Sequence, residues 1–154
     1  MNQVLAWFAI HPRHPRTGFP YLVVRVGVYI IALVLMVLVY GTKQRGLIIA
    51  PPIGLLAAAG TWYLLGDTAL DARQRLINAI GTGLMLGELT WAFGYWDVAA
   101  LVGGAGLWLA FYVLSGVIEH AAAEDLDRRI AAEYALVALI GSVVILAVAR
   151  PWSV

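Results

Sequence analysis

Five apolar runs, each close to the length a helix needs to cross a bilayer, fill most of this chain at 21–40, 47–65, 76–95, 98–118 and 130–149. A helix rises about 1.5 Å per residue, so about 20 apolar residues cover the roughly 30 Å hydrocarbon core. A soluble domain of 154 residues can bury one core but cannot also hide five such runs. Lipid is therefore the expected solvent. Composition agrees, at 62% hydrophobic and 12% charged against about 45–50% and about 25% in ordinary soluble domains.

Inside a bilayer every peptide group must be bonded internally, which leaves helices or a closed barrel. Barrel strands alternate in character over about ten residues, and a run such as YIIALVLMVLVY does not alternate. The expected fold is an all-α integral membrane protein. A bundle of five transmembrane helices occupies 21–154, and a short interfacial N-terminal segment with a Pro-rich tail occupies 1–20. The start, MNQVLAWFAI, has no positive n-region and no small-residue cleavage site, so it is not read as a signal peptide. Trp7 and Phe8 suit a short helix lying in the interface, and Pro12, Pro15 and Pro20 then impose an extended entry. Pro51 and Pro52 fall in the second run. They are tolerated if the regular helix starts there or if neighbours satisfy the freed carbonyls.

Connections are short: GTKQRG, GDTALDARQR, Trp96-Asp97 and EHAAAEDLDRR. No internal repeat or inverted half supports a two-fold transporter architecture. Arg13, Arg16, Arg73, Arg75, Arg128 and Arg129 fall on one side, and Lys43, Arg45 and Arg150 on the other. Positive charge collects on the cytoplasmic side, so the expected location is the inner (plasma) membrane, multi-pass, with the N-terminus in the cytoplasm and the C-terminus outside.

Glu88 is the most informative position. It lies about eleven residues into the third run, near the bilayer midplane, where a charge costs roughly 2.5–3.5 kcal/mol. It should therefore face the bundle or a partner, or be protonated. One reading is a carboxyl hydrogen-bonded inside the bundle to Thr90, Ser115 or a tyrosine. The others are contact with a partner or cofactor, or an ion or proton pathway.

Arg25 and Glu133 each lie about one turn in from the same side, which predicts an Arg25–Glu133 ion pair between the first and last helices. The alternative is that each snorkels separately to head groups. Gly83-x-x-x-Gly87 is a small-x-x-x-small pattern that lets backbones approach closely, here expected to pack the third helix on the second or fourth.

No metal site is expected, because His120 and Glu124 share one helix face but lack further ligands, the remaining imidazoles being His11 and His14. The absence of cysteine excludes thiolate metal sites and dithiol redox chemistry. No histidine is central enough to bridge a haem. A bound lipid or pigment is left open as the cofactor; His120, Glu119 and Asn78 are the side chains available to ligate a chlorin. The acidic run at 124–127 reads as a helix cap followed by interfacial arginines. No hydrolase triad, phosphate loop or zinc-protease helix is present. A net charge of +1 with dispersed basic residues gives no reason for a nucleic-acid partner.

Three functions fit, in this order. The first is a non-catalytic integral membrane subunit that stabilises or scaffolds a larger complex, photosynthetic or respiratory for example. Its partners would be the lipid bilayer and other membrane subunits. The second is a small transporter or channel that uses Glu88, which requires a polar cavity reaching it. The third is a lipid-modifying membrane enzyme, which requires Asp71, Arg73, Glu119, His120 and Glu124 to converge.

Overall fold

The computed structural model describes residues 19–96 and 98–149 and is helical throughout apart from turns. Residues 1–18 of the tail read as interfacial lie outside the described residues, with His11, His14, Arg13 and Arg16, as do Arg150 and Trp152 at the other terminus. Pro20, expected in an extended entry, instead lies in the first turn of the first helix, where proline is tolerated. Five helices follow one another: α1 (Phe19–Gly41), α2 (Gly46–Leu64), α3 (Ala72–Phe93), α4 (Ala100–Ala122) and α5 (Arg128–Ala149). Each is long and apolar enough to cross a membrane, as a multi-pass membrane protein requires. The chain runs up and down, so the start of α1 and the α2–α3 and α4–α5 connections share one end, called here the Arg25 end. The Lys43 end holds the other two connections.

Helix boundaries depart from the apolar runs where polar residues cap them. α3 starts at Ala72, four residues before its run, because Asp71 and Gln74 form a reciprocal capping box. The Asp71 carboxylate accepts from Gln74 N at 2.6 Å and the Gln74 side chain accepts from Asp71 N at 3.3 Å. α2 does not begin at its prolines. It starts at Gly46 and passes through Pro51 and Pro52, which removes the usual donors to the Leu47 and Ile48 carbonyls. Lys43 and Glu124 take left-handed backbone conformations, φ 52° and 57°, where the chain leaves α1 and α4.

α2 packs on α3, α1 on α4, and α5 on α4. The core lies where α1, α2, α3 and α4 meet, around Met36, Ile53, Ala57, Leu86, Leu107 and Phe111, all fully buried. Thr61 keeps a buried hydroxyl without a hydrogen-bond partner among the described residues, whereas the other three buried hydroxyls bond back to their own helix: Thr82 to Asn78 O at 2.9 Å, Thr90 to Leu86 O at 2.6 Å and Ser115 to Phe111 O at 2.7 Å. Such bonds leave these groups little need of water. α5 buries no residue fully; its Gly141 lies against Leu109, and its Tyr134 ring covers Gly116 of α4. The outer surface is apolar all round, with side chains such as Ile31, Leu38, Leu84, Leu101, Leu139 and Val148 more than a third exposed.

Candidate functional site

A close backbone approach of α2 to α3 underlies a groove on the surface of the bundle. A Cβ on Gly54 would stand 2.8 Å from the Gly83 carbonyl oxygen, and one on Gly83 would stand 2.6 Å from that of Gly54. Only glycine permits this approach of α2 to α3. Gly87 lies one turn along on the same face, where a Cβ would meet the Ala50 carbonyl at 3.6 Å, an ordinary contact. The small-residue pattern therefore packs the third helix on the second, with Gly83 at the closest point and Gly87 beside it.

Two ridges rise from this small-residue floor. Leu47, Pro51 and Leu55 follow at spacing four on α2, and Ile80, Leu84 and Glu88 at spacing four on α3, with Trp91 continuing the second ridge. Between them runs a groove of about 540 Å³ that opens sideways from the bundle. Glu88 is its charged residue and is exposed. Its carboxyl makes no hydrogen bond or ion pair among the described residues. The bundle-facing reading of Glu88 is thus corrected: Thr90 and Ser115 bond to their own helices, and Glu88 points outward. Its depth is corrected too. With α3 starting at Ala72, Glu88 lies five residues before the last helical residue, Phe93, or about 7.5 Å along the axis. Gly83, rather than Glu88, occupies the helix centre.

The Arg25 end is built differently. Arg25 on α1 donates to the Glu119 carboxylate on α4. Both side chains are largely covered, at 28% and 16% exposed. One turn deeper the Tyr29 and Ser115 hydroxyls share a hydrogen bond at 3.2 Å. Trp108 donates from its indole to the Tyr29 carbonyl at 2.8 Å. Tyr112 and Tyr134 complete an aromatic cluster. The expected Arg25–Glu133 pair does not form. Glu133 accepts instead from Arg129, one turn earlier on α5, at 3.2 Å, and both of those side chains are well exposed. Matching depth did not suffice, because α5 turns this carboxylate away from α1.

His120 faces Asp125 at 3.1 Å, not Glu124. Among the described residues no three His, Asp or Glu side chains are grouped to hold a metal. The side chains named for a chlorin are engaged: Glu119 by Arg25, His120 by Asp125, and Asn78, which donates to Gln74 O at 3.0 Å. The enzyme reading needed five side chains to converge. Asp71 instead caps α3, and the pocket of about 500 Å³ at this end brings Glu119 and Glu124 together with Asp67 and Thr68. Asp67, which keeps one buried carboxylate oxygen without a hydrogen-bond partner among the described residues, escaped sequence reading, although its place just past the second apolar run marks it as a residue held at the rim.

The Lys43 end is closed by a clasp also missed in the sequence. Tyr40 donates to the Phe93 and Trp96 carbonyls at 3.0 and 3.2 Å, and Lys43 donates to the Val98 carbonyl. The end of α1 thereby adds a second hydrogen bond to the Phe93 and Trp96 carbonyls, which already accept from Trp96 N and Val98 N within the α3–α4 turn. A second groove, about 460 Å³ between α3, α4 and α5, is lined by apolar side chains and Ser142.

No curated protein and no solved structure matches this chain. Residues 2–148 match one family, described as a protein of unknown function, DUF5656. The match covers nearly the whole bundle, and the chain belongs to the DUF5656 family.

Proposed function

We propose that this chain is an integral multi-pass membrane protein that acts through its helix faces, as a non-catalytic subunit that stabilises or scaffolds a larger membrane assembly. The observation that carries the reading is the direction of Glu88. Glu88 points out of the bundle, into a groove lined otherwise by apolar and small residues, and its carboxyl makes no ion pair or hydrogen bond among the described residues. A transporter would turn such a group toward a polar cavity, and the lipid-modifying enzyme read from the sequence needs Asp71 and His120 to converge with Glu119 and Glu124, whereas Asp71 caps α3 and His120 faces Asp125. Of the other ionic groups, Arg25 and Glu119 pair between α1 and α4, while His120–Asp125 and Arg129–Glu133 are local pairs near the helix ends.

The apolar outer surface supports placement in lipid, since exposed patches of this extent are rare on soluble monomers. Among the described residues, Arg73, Arg75, Arg128 and Arg129 lie at the Arg25 end against Lys43 and Arg45 at the other. That bias favours the Arg25 end facing the cytoplasm of a cell whose inner membrane holds the chain.

The test is extraction from native membranes. The chain is expected to stay in the pellet after a carbonate wash and to leave it in mild detergent with at least one other polypeptide. Recovery as a lone species in detergent, with no second polypeptide at any gentler extraction, overturns the subunit reading.

A further inference from the structure

Two charges are left over on one face of the bundle. Glu88 and Arg45 are both exposed, and neither side chain makes an ion pair or hydrogen bond among the described residues. Arg45 immediately precedes α2. A Cβ on Gly46 would stand 2.9 Å from the Trp91 indole, so the start of α2 is level with Trp91. Trp91 is three residues past Glu88 on α3, about 4.5 Å along the axis. Arg45 thus stands about one turn closer to the Lys43 end than Glu88 does, and on its own chain the two side chains make no ion pair.

We propose that this groove is the contact between two copies of the chain, related by a two-fold axis along the membrane normal, with Arg45 of each copy paired to Glu88 of the other. The proposal rests on the membrane placement argued above and goes beyond the subunit reading. Two copies inserted the same way stand at the same depth, so Arg45 of the second copy arrives one turn above Glu88, within reach of an extended arginine side chain. The guanidinium fork suits a carboxylate and is less strongly hydrated than an ammonium group. The two-fold makes the contact reciprocal and closes the assembly at two. The glycine and alanine floor lets the ridge of one copy, with Leu55 72% exposed at its crest, settle against the other.

The experiment uses the full chain in two differently tagged versions, reconstituted in lipid nanodiscs and read by co-purification of the tags. Wild-type copies are expected to pair. Glu88→Arg with itself and Arg45→Glu with itself each place like charges at both contacts, and the paired fraction should fall at least about tenfold. Mixing Glu88→Arg with Arg45→Glu should restore it, because each copy then supplies the charge the other has lost. Rescue confined to the double swap within one chain would make the pair intramolecular and overturn the proposal, as would an unpaired wild type.

If Glu88→Arg fails to fold, Glu88→Gln carries the test: a severalfold loss of pairing upholds the contact and an unchanged fraction overturns it. The chain has no cysteine, so Leu55→Cys reports the interface directly. Crosslinking through Leu55→Cys is expected, and crosslinking only through Ile140→Cys on α5 would place the contact elsewhere. The two readings fail separately. Pairs of this chain with no second polypeptide would uphold the contact and remove the subunit reading, and a second polypeptide without contact between copies would do the reverse.

Discussion

Glu119 and Glu88 are both carboxylates on long apolar helices, and the bundle treats them in opposite ways. Glu119 continues the buried stripe of α4 through Leu107, Phe111 and Ser115 and meets Arg25 from a neighbouring helix. Glu88 continues the exposed ridge of α3 through Ile80 and Leu84 and makes no ion pair or hydrogen bond among the described residues. The internal fold explains the first carboxylate completely and the second not at all. A charge that makes no bond within its fold, on a helix long and apolar enough to cross a membrane, points to something outside the fold.

The sharpest way to break this contrast is to remove the floor on which the Glu88 ridge stands. Gly83→Leu puts a side chain where a Cβ already lies 2.6 Å from the Gly54 carbonyl, and a backbone atom cannot rotate away. We expect a loss of about 3 kcal/mol or more, read as failure to recover protease-resistant protein. Gly81→Leu is the control. Nothing lies within 4 Å of its Cβ direction, so it should be neutral or stabilising by up to about 1 kcal/mol.

Next in size is the Glu119 side of the comparison. Arg25→Ala leaves a largely covered carboxylate without its cation. Exposed pairs contribute about 0–1 kcal/mol and breaking a buried one costs about 3–5, so a part-buried pair should cost about 2 kcal/mol in thermal unfolding. Rescue should follow Arg25→Glu combined with Glu119→Arg. Equal rescue by Arg25→Glu combined with Glu133→Arg would mean that α5, not α4, supplies the partner.

That choice of partner marks where reading the sequence stopped working. The five helices, their lengths within a few residues and a close approach at Gly83, to the second or the fourth helix, were visible, because length, apolarity and the absence of a side chain are properties of the chain itself. The partner of Arg25 depends on azimuth. Glu119 and Glu133 enter from the same end at similar depth, and only the stripe at 107, 111, 115 and 119 separates them. In lipid that stripe is faint. The outside is as apolar as the inside, so hydrophobic periodicity loses its meaning, and α3 turns Thr82 and Thr90 inward while exposing Leu84 and Met85. The same inversion hid the outward direction of Glu88. Capping chemistry moved its depth as well, since Asp71 and Gln74 start α3 a full turn before the apolar run.

The smallest expected effects decide whether the contrast between the two carboxylates is real. Glu88→Gln keeps the shape and removes the charge. With no partner on its own chain, it should leave the thermal midpoint of the isolated monomer within about 0.5 kcal/mol of wild type. Glu133→Gln should do the same or less, because its bond to Arg129 joins two well-exposed side chains and such pairs contribute about 0.3–0.5 kcal/mol. A monomer destabilised by Glu88→Gln as strongly as by Arg25→Ala would mean that Glu88 has a partner within its own fold. The argument from its outward direction would then fail, whereas a silent Glu88→Gln in the monomer beside a costly one in the assembly would locate the use of this carboxylate between chains.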